Sequence, residues 1–200
     1  MHVRCRLQIV FGFLLIIAMA FEVSAGVPTD QIRDTTDKII AVVSDPALKG
    51  AEKEPERNRK IRQAVDERFD WVGISRRALA RHWKKRTAEE KEEFIALFGR
   101  LLERTYRDRV SDYSGEQVTY VGERVDGNYA VVSVEILTTK NEEVSVDYRV
   151  KRRGQGWYVY DVSIEGVSLV NNYRVQFNNI IMKSSYKGLI TRLEAKVAEE

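Results

Sequence analysis

The stretch QVTYVGERVDGNYAVVSVEILTT, Gln117 to Thr139, is where the apolar period of this 200-residue chain changes from 3.6 to 2. Asp126-Gly127-Asn128 lies between two β-rich runs, which is a hairpin signal. The following stretch, EEVSVDYRVKRRGQGWYVYDVSIEG, repeats the pattern. Val144, Val146, Tyr148 and Val150 alternate along one side, and Gly154-Gln155-Gly156 supplies the turn. Four strands joined by short turns imply an antiparallel meander with one apolar face.

Helical patterns flank the meander. Ile32, Thr36, Ile39, Ile40 and Val43 predict an amphipathic helix from Pro28 to about Ser44, ended by Asp45-Pro46. Between Pro55 and Arg68 a narrow stripe of Ile61, Val65 and Phe69 marks a mostly solvated helix, and Asp70 to Trp83 reads as a shorter helical piece broken by Gly73. Thr87 and Glu90 form a capping box. After them Phe94, Leu97, Phe98, Leu101, Leu102, Tyr106 and Val110 keep helical steps over about four turns. Beyond the strands, Val170, Tyr173, Phe177 and Ile181 start a second helical region. After a break near Ser184-Ser185 it continues through Tyr186, Leu189, Ile190, Leu193 and Val197. Helices, four strands and helices again make an α+β fold. We expect a curved four-stranded antiparallel sheet with N-terminal and C-terminal helices packed on it, enclosing an apolar cavity.

The N-terminus reads as an address. Arg4 and Arg6 precede an uncharged run from Ile9 to Ala20, and Val23-Ser24-Ala25 resembles a signal-peptidase site, so residues 1–25 are expected to be a cleaved signal peptide and 26–200 a single domain. The apolar run is shorter than the roughly 20 residues a spanning helix needs. Cys5, the one cysteine, would leave with it, and about 175 residues can build a core without disulfides. The formal charge of +3 would fall to +2 on losing Arg4, Arg6 and Glu22, which is no nucleic-acid footprint. Lys84-Lys85-Arg86 and Lys151-Arg152-Arg153 are short basic clusters that suit anionic lipid, an acidic partner surface or simple solubility.

Catalytic chemistry is scarce. Gly166-Val167-Ser168 is the first half of a G-x-S-x-G nucleophile elbow, but Val170 stands where the second glycine belongs, and His82 is the one candidate base once His2 is removed. Ser168 suits a helix start instead. No second histidine or cysteine completes a zinc site around His82, and pairs such as Glu89-Glu90 and Glu142-Glu143 read as solvated charge. We therefore expect no enzyme, metal or cofactor.

Two segments carry a resemblance. ALARHWKKRTAEEKEEFIALFGRLLERTY (Ala78 to Tyr106) and GWYVYDVSIEGVSLVNNYRVQF (Gly156 to Phe177) look like the MlaC or toluene-tolerance family. In the second, Gly156-Trp157, Tyr160-Asp161, Gly166-Val167-Ser168-Leu169, Asn172-Tyr173-Arg174 and Gln176-Phe177 match the family's pattern. The resemblance implies a soluble, monomeric periplasmic protein that holds phospholipid acyl chains. It would shuttle lipid between an inner-membrane ABC-transporter complex with an MCE-domain protein and an outer-membrane lipoprotein complex. A hopanoid-associated branch makes a polycyclic lipid an alternative cargo, and an interaction protein without ligand is the other reading kept open. From the apolar faces, the expected lining is Leu97 and Leu101 on the long helix, Val132, Val134, Val146, Tyr148 and Val159 on the strands, and Leu169, Tyr173, Phe177 and Ile181 after them. Arg174 is the expected polar group at the mouth.

Overall fold

The computed structural model describes residues 27–111 and 113–198; the expected signal peptide lies outside them. Helix α1 (Val27–Ser44) is followed by two short 3₁₀ turns and by α2 (Glu54–Asp66), α3 (Trp71–Leu79), a 3₁₀ turn over Ala80–Lys85 and α4 (Ala88–Ser111). Then come β1 (Gln117–Asp126), β2 (Tyr129–Leu137), β3 (Glu143–Arg153), β4 (Gly156–Ile164), β5 (Val167–Ser168) and α5 (Leu169–Ala198). The capping box is formed: Thr87 N–H donates to Glu90 Oε2 at 2.9 Å, and Glu90 N–H donates to Thr87 Oγ1 at 3.2 Å. Among the described residues no helix is long and apolar enough to cross a membrane.

The sheet is an antiparallel meander in the order β1-β2-β3-β4-β5. The sequence reading expected four strands; the fifth is a two-residue return after Glu165 (φ 48°) and Gly166 (φ 75°). A turn with positive φ at both central residues matches the twist of a hairpin, so Val167 and Ser168 fold back on Ile164 and Ser163. Bulges interrupt the register at Val121 in β1 and at Tyr160 in β4. Each bends its strand locally.

Cross-strand partners share a face, so the register defines apolar rows across the sheet. One row is Ala130, Val150 and Val159; the next is Val132, Tyr148 and Val162; then come Val134, Val146 and Ile164; the last is Val118, Ile136 and Val144. Helix α1 packs on this face and seats Ile32 there. Its first turn is fixed by Thr29, whose N–H and hydroxyl both donate to Glu123, at 2.8 and 2.6 Å. Further along α1, Gln31 Oε1 accepts from Trp157 N–H and from Arg68, each at 2.8 Å.

The junction of α2 and α3 joins the edge of β4. Asp70 N–H donates to the Val159 carbonyl at 2.8 Å and Val159 N–H donates to the Arg68 carbonyl at 2.9 Å, a short parallel bridge. Contrary to the sequence reading, Gly73 does not break α3; the helix ends at Ala80, whose φ is 46°. Gly73 is in the first turn because the capping carboxylate of Asp70 occupies the space beside it. Its N–H donates to Asp70 Oδ1 at 2.9 Å, and a Cβ there would lie 2.1 Å from Asp70 Oδ2. Gly73→Ala should therefore displace the cap and lower stability by about 2 kcal/mol, checked by urea unfolding.

Candidate functional site

The buried apolar residues form two clusters. One belongs to the helices and includes Phe94, Leu97, Phe98, Leu101, Phe177 and Leu189. The other belongs to α1 and the sheet and includes Ile32, Val132, Val134, Val146, Val150 and Val159. Phe69 packs against both. A domain usually has one contiguous core, so a divided one marks where the layers fail to close on each other.

The helical layer is fastened to the sheet through β4. Asp161, 6% exposed, accepts the Ser168 hydroxyl at 2.7 Å and the Val170 N–H at 3.1 Å, and Arg149 lies 3.7 Å away. Ser168 Oγ in turn accepts Asn171 N–H at 3.0 Å, the helix-start role expected of it. Nε2 of His82 is 3.1 Å from Asn178 Oδ1 instead. Helix α4 packs on α3 and α5 rather than forming a layer on the strands. Its interior is an aromatic stack: Phe98 meets Tyr173 and Phe177 edge-on, each at 5.1 Å, and Phe94 meets Phe177 at 5.6 Å.

Burial along the sheet rows is graded. Ala130, Val150 and Val159 are sealed, at 3% exposure or less. Tyr148 and Val162 in the next row are half-buried, and so are Val118, Ile136 and Val144 in the last. That last row adjoins the chain that enters β1 from α4. With Tyr120 and Ile164, half-buried in the row between, seven large side chains thus keep accessible surface on the inner face of the sheet.

Tyr148 is the most informative of them. Burial pushes its hydroxyl up to about 12, with the neighbouring Tyr120 a second, smaller cause. Among the described residues it makes no hydrogen bond. A phenol in a tight core ordinarily finds a partner. Half-accessible and without a protein partner, the Tyr148 side chain has space beside it that no neighbour fills. Tyr120 is raised too, chiefly by burial, with the Arg33 guanidinium 4.5 Å over its ring.

The expected lining residues divide between the two cores. Leu97, Leu101 and Phe177 are buried in the helical cluster, with Tyr173 and Ile181 half-buried against it. Val132, Val134, Val146, Tyr148 and Val159 share the inner face of the sheet, but only Tyr148 among them keeps appreciable accessible surface. Leu169 is half-buried at the start of α5. Arg174 is exposed, donates to Asn171 Oδ1, and borders a surface groove of about 390 Å³ with Leu79, Arg81, His82, Val175 and Asn178. A second groove, of about 740 Å³, lies near Arg124, Tyr129, Asp147, Arg149 and Tyr160. Neither is the enclosed apolar cavity expected from sequence. Val118, Ile136, Val144 and Val162 are not among the lining residues expected from sequence; the alternation that includes Val144 signals a buried face but not its unfinished end. Among the described residues no group of three or more His, Cys, Asp or Glu side chains is placed to hold a metal ion.

A bulged antiparallel meander, with one helix on its inner face and a separate aromatic helical core hung from β4, defines the architectural class. The chain belongs to the MlaC family: the family model described as MlaC protein matches residues 33–195. The chain is 26% identical over 128 residues to the intermembrane phospholipid transport system binding protein MlaC of Haemophilus influenzae, a match covering 62% of this chain and 60% of that relative. It is also similar to the phospholipid-binding protein from Ralstonia solanacearum, solved in complex with a phospholipid. That likeness has a TM-score of 0.76 and 28% identity, covering 86% of this chain and 97% of the other.

The Tyr148 environment makes a spectroscopic prediction. Absorbance titration should show phenols ionising near pH 12, and Tyr148→Phe should remove one of them; Tyr186, also pushed up to about 12, should remain. The unfolded chain releases the Tyr148 proton near its ordinary value of about 10, so stability falls as pH rises from there toward 12.

Proposed function

We propose that the chain is a non-enzymatic phospholipid carrier whose acyl chains lie against the half-buried end of the sheet's inner face, under the helical layer. The observation that carries this reading is the divided core, with Tyr148 unpartnered on the inner face of the sheet and Val118, Ile136, Val144 and Val162 unsealed on the same face. Support also comes from the family and from the phospholipid bound by the Ralstonia solanacearum protein, of which this chain covers 97%.

The energetics suit a shuttle. Two acyl chains of about fifteen methylenes each represent on the order of 20 kcal/mol of burial at about 0.8 kcal/mol per CH₂. Release into water is then negligible, whereas transfer to another apolar site is nearly balanced. A docked partner with a small differential affinity can tip it. On this reading the protein works in the periplasm, after cleavage of residues 1–25. It passes lipid between an inner-membrane ABC-transporter complex with an MCE-domain protein and an outer-membrane lipoprotein complex. The residues in play provide shape and apolar surface, with the Tyr148 hydroxyl as a hydrogen-bond donor for a lipid ester.

The test is native mass spectrometry of protein purified from its own compartment, with extraction of the lipid. A phospholipid at near-stoichiometric occupancy is expected, and protein that carries no lipid under conditions preserving bound cargo overturns the reading. Val144→Trp should reduce occupancy about tenfold by filling the unsealed end with an indole, while the unfolding midpoint stays close to that of the parent. Unchanged occupancy would move the acyl chains away from this row.

A further inference from the structure

Ten of the 33 Lys and Arg residues fall in two segments, 71–88 and 166–193, and all 30 Asp and Glu residues lie outside them. The first segment is α3 with its 3₁₀ turn, the second most of α5, and α3 packs against α5. In a chain of near-balanced charge these two packed segments thus form a basic pole with no carboxylate of their own; the carboxylates that touch them, Asp66, Asp70 and Asp161, sit at the starts of α3 and α5. Arg76, Arg81, Lys84, Lys85, Arg174 and Lys183 are exposed there, and among the described residues none of them enters an ion pair. The pole ends at the first turns of α4, where Glu90 pairs with Arg86 at 3.0 Å and Glu93 approaches Tyr186.

Apolar side chains protrude among these cations. Val72 is 53% exposed, Val175 54% and Met182 67%. Arg174, Asn178 and Met182 follow one another at four-residue steps, on one stripe of α5, with Val175 beside it. Arg81 donates to Asn178 Oδ1 at 2.8 Å, which brings the 3₁₀ turn onto that stripe. Val72 and Arg76 share a stripe of α3 that leads to the same place. The result is a groove with apolar Leu79, Ala80 and Val175 and with Arg81, His82 and Arg174 around them.

We infer that this face docks the protein on an anionic membrane surface. Long, unpaired Lys and Arg side chains around singly protruding aliphatic residues match a headgroup layer, which offers many phosphates and no fixed register, better than a protein surface, which would call for paired geometry. Because cations outnumber the few carboxylates at its margins, the field turns this pole toward an anionic surface and the opposite side away. The inference stands whether or not the divided core holds a lipid.

Co-sedimentation tests it. The purified protein is mixed with vesicles of phosphatidylethanolamine and phosphatidylglycerol, or of phosphatidylcholine alone, at low and high salt. Binding is expected to the first and not the second, and to fall with salt. Arg81→Glu with Lys183→Glu should weaken it about twentyfold, and Met182→Ser several-fold. Equal binding to neutral vesicles, or a double variant that binds like the parent, overturns the inference. So does failure to bind either vesicle at low salt, which leaves the basic face to an acidic protein partner. Lipid occupancy, read by native mass spectrometry, separates the two ideas: a parent protein that binds anionic vesicles but carries no lipid supports docking and overturns the carrier, whereas bound lipid without vesicle binding does the reverse.

Discussion

The layers of this protein are held together by three consecutive residues, Arg68 to Asp70, on the free edge of one bulged strand. Their backbone exchanges two hydrogen bonds with Val159, Phe69 packs into both apolar clusters, and Asp70 caps α3 while pairing with Arg153. An exposed strand edge is a liability for any sheet. Here it is covered by β5 at one end and by this tripeptide further along, and each cover delivers a helix. Asp161 completes the arrangement two residues on, where its carboxylate sets the start of α5. Strand β4 therefore orients the whole helical layer.

Hanging a helical layer from one strand has a geometric effect. The row at the level of the Phe69–Val159 bridge is sealed, and further along the strands half-buried residues appear on β4 (Val162, Ile164) as well as on β3 and β1 (Tyr148, Val118). Away from that bridge the inner face keeps apolar surface that no helix covers completely. For the proposed carrier this division would let the inner face of the sheet yield without loosening the aromatic stack of Phe94, Phe98, Tyr173 and Phe177.

Much of this was legible in the sequence. The α1 boundaries, the Thr87–Glu90 box and the Gly127 and Gly154 turns follow local rules that the structure obeys, and Ser185 (φ 67°) interrupts α5 where the pattern breaks. Alternation also put Val132, Val134, Val146 and Tyr148 on one face. What failed was information carried across the chain. Gly73 reads as a helix breaker until Asp70 is seen occupying its Cβ position, and Glu165-Gly166 reads as the approach to an elbow until Val167 is seen pairing back on Ile164. Within the candidate site, periodicity separated inner face from outer but could not grade it. Val134 and Val144 look alike in sequence, yet packing across the chain seals one and leaves the other half-buried.

The β4 anchorage also dictates an order of assembly. Phe69 must wait for Val159, about ninety residues further along the chain, before α3 has a strand to join. Contacts of such separation close late and slowly, because the loop entropy is spent before the contact forms. Among the described residues four α-helices precede any strand, and the aromatic face of α4 has no partner until Tyr173 and Phe177 of α5 are made. The molecule's window of greatest vulnerability to aggregation is thus written into its topology: it opens with the first aromatic of α4 and closes when α5 arrives.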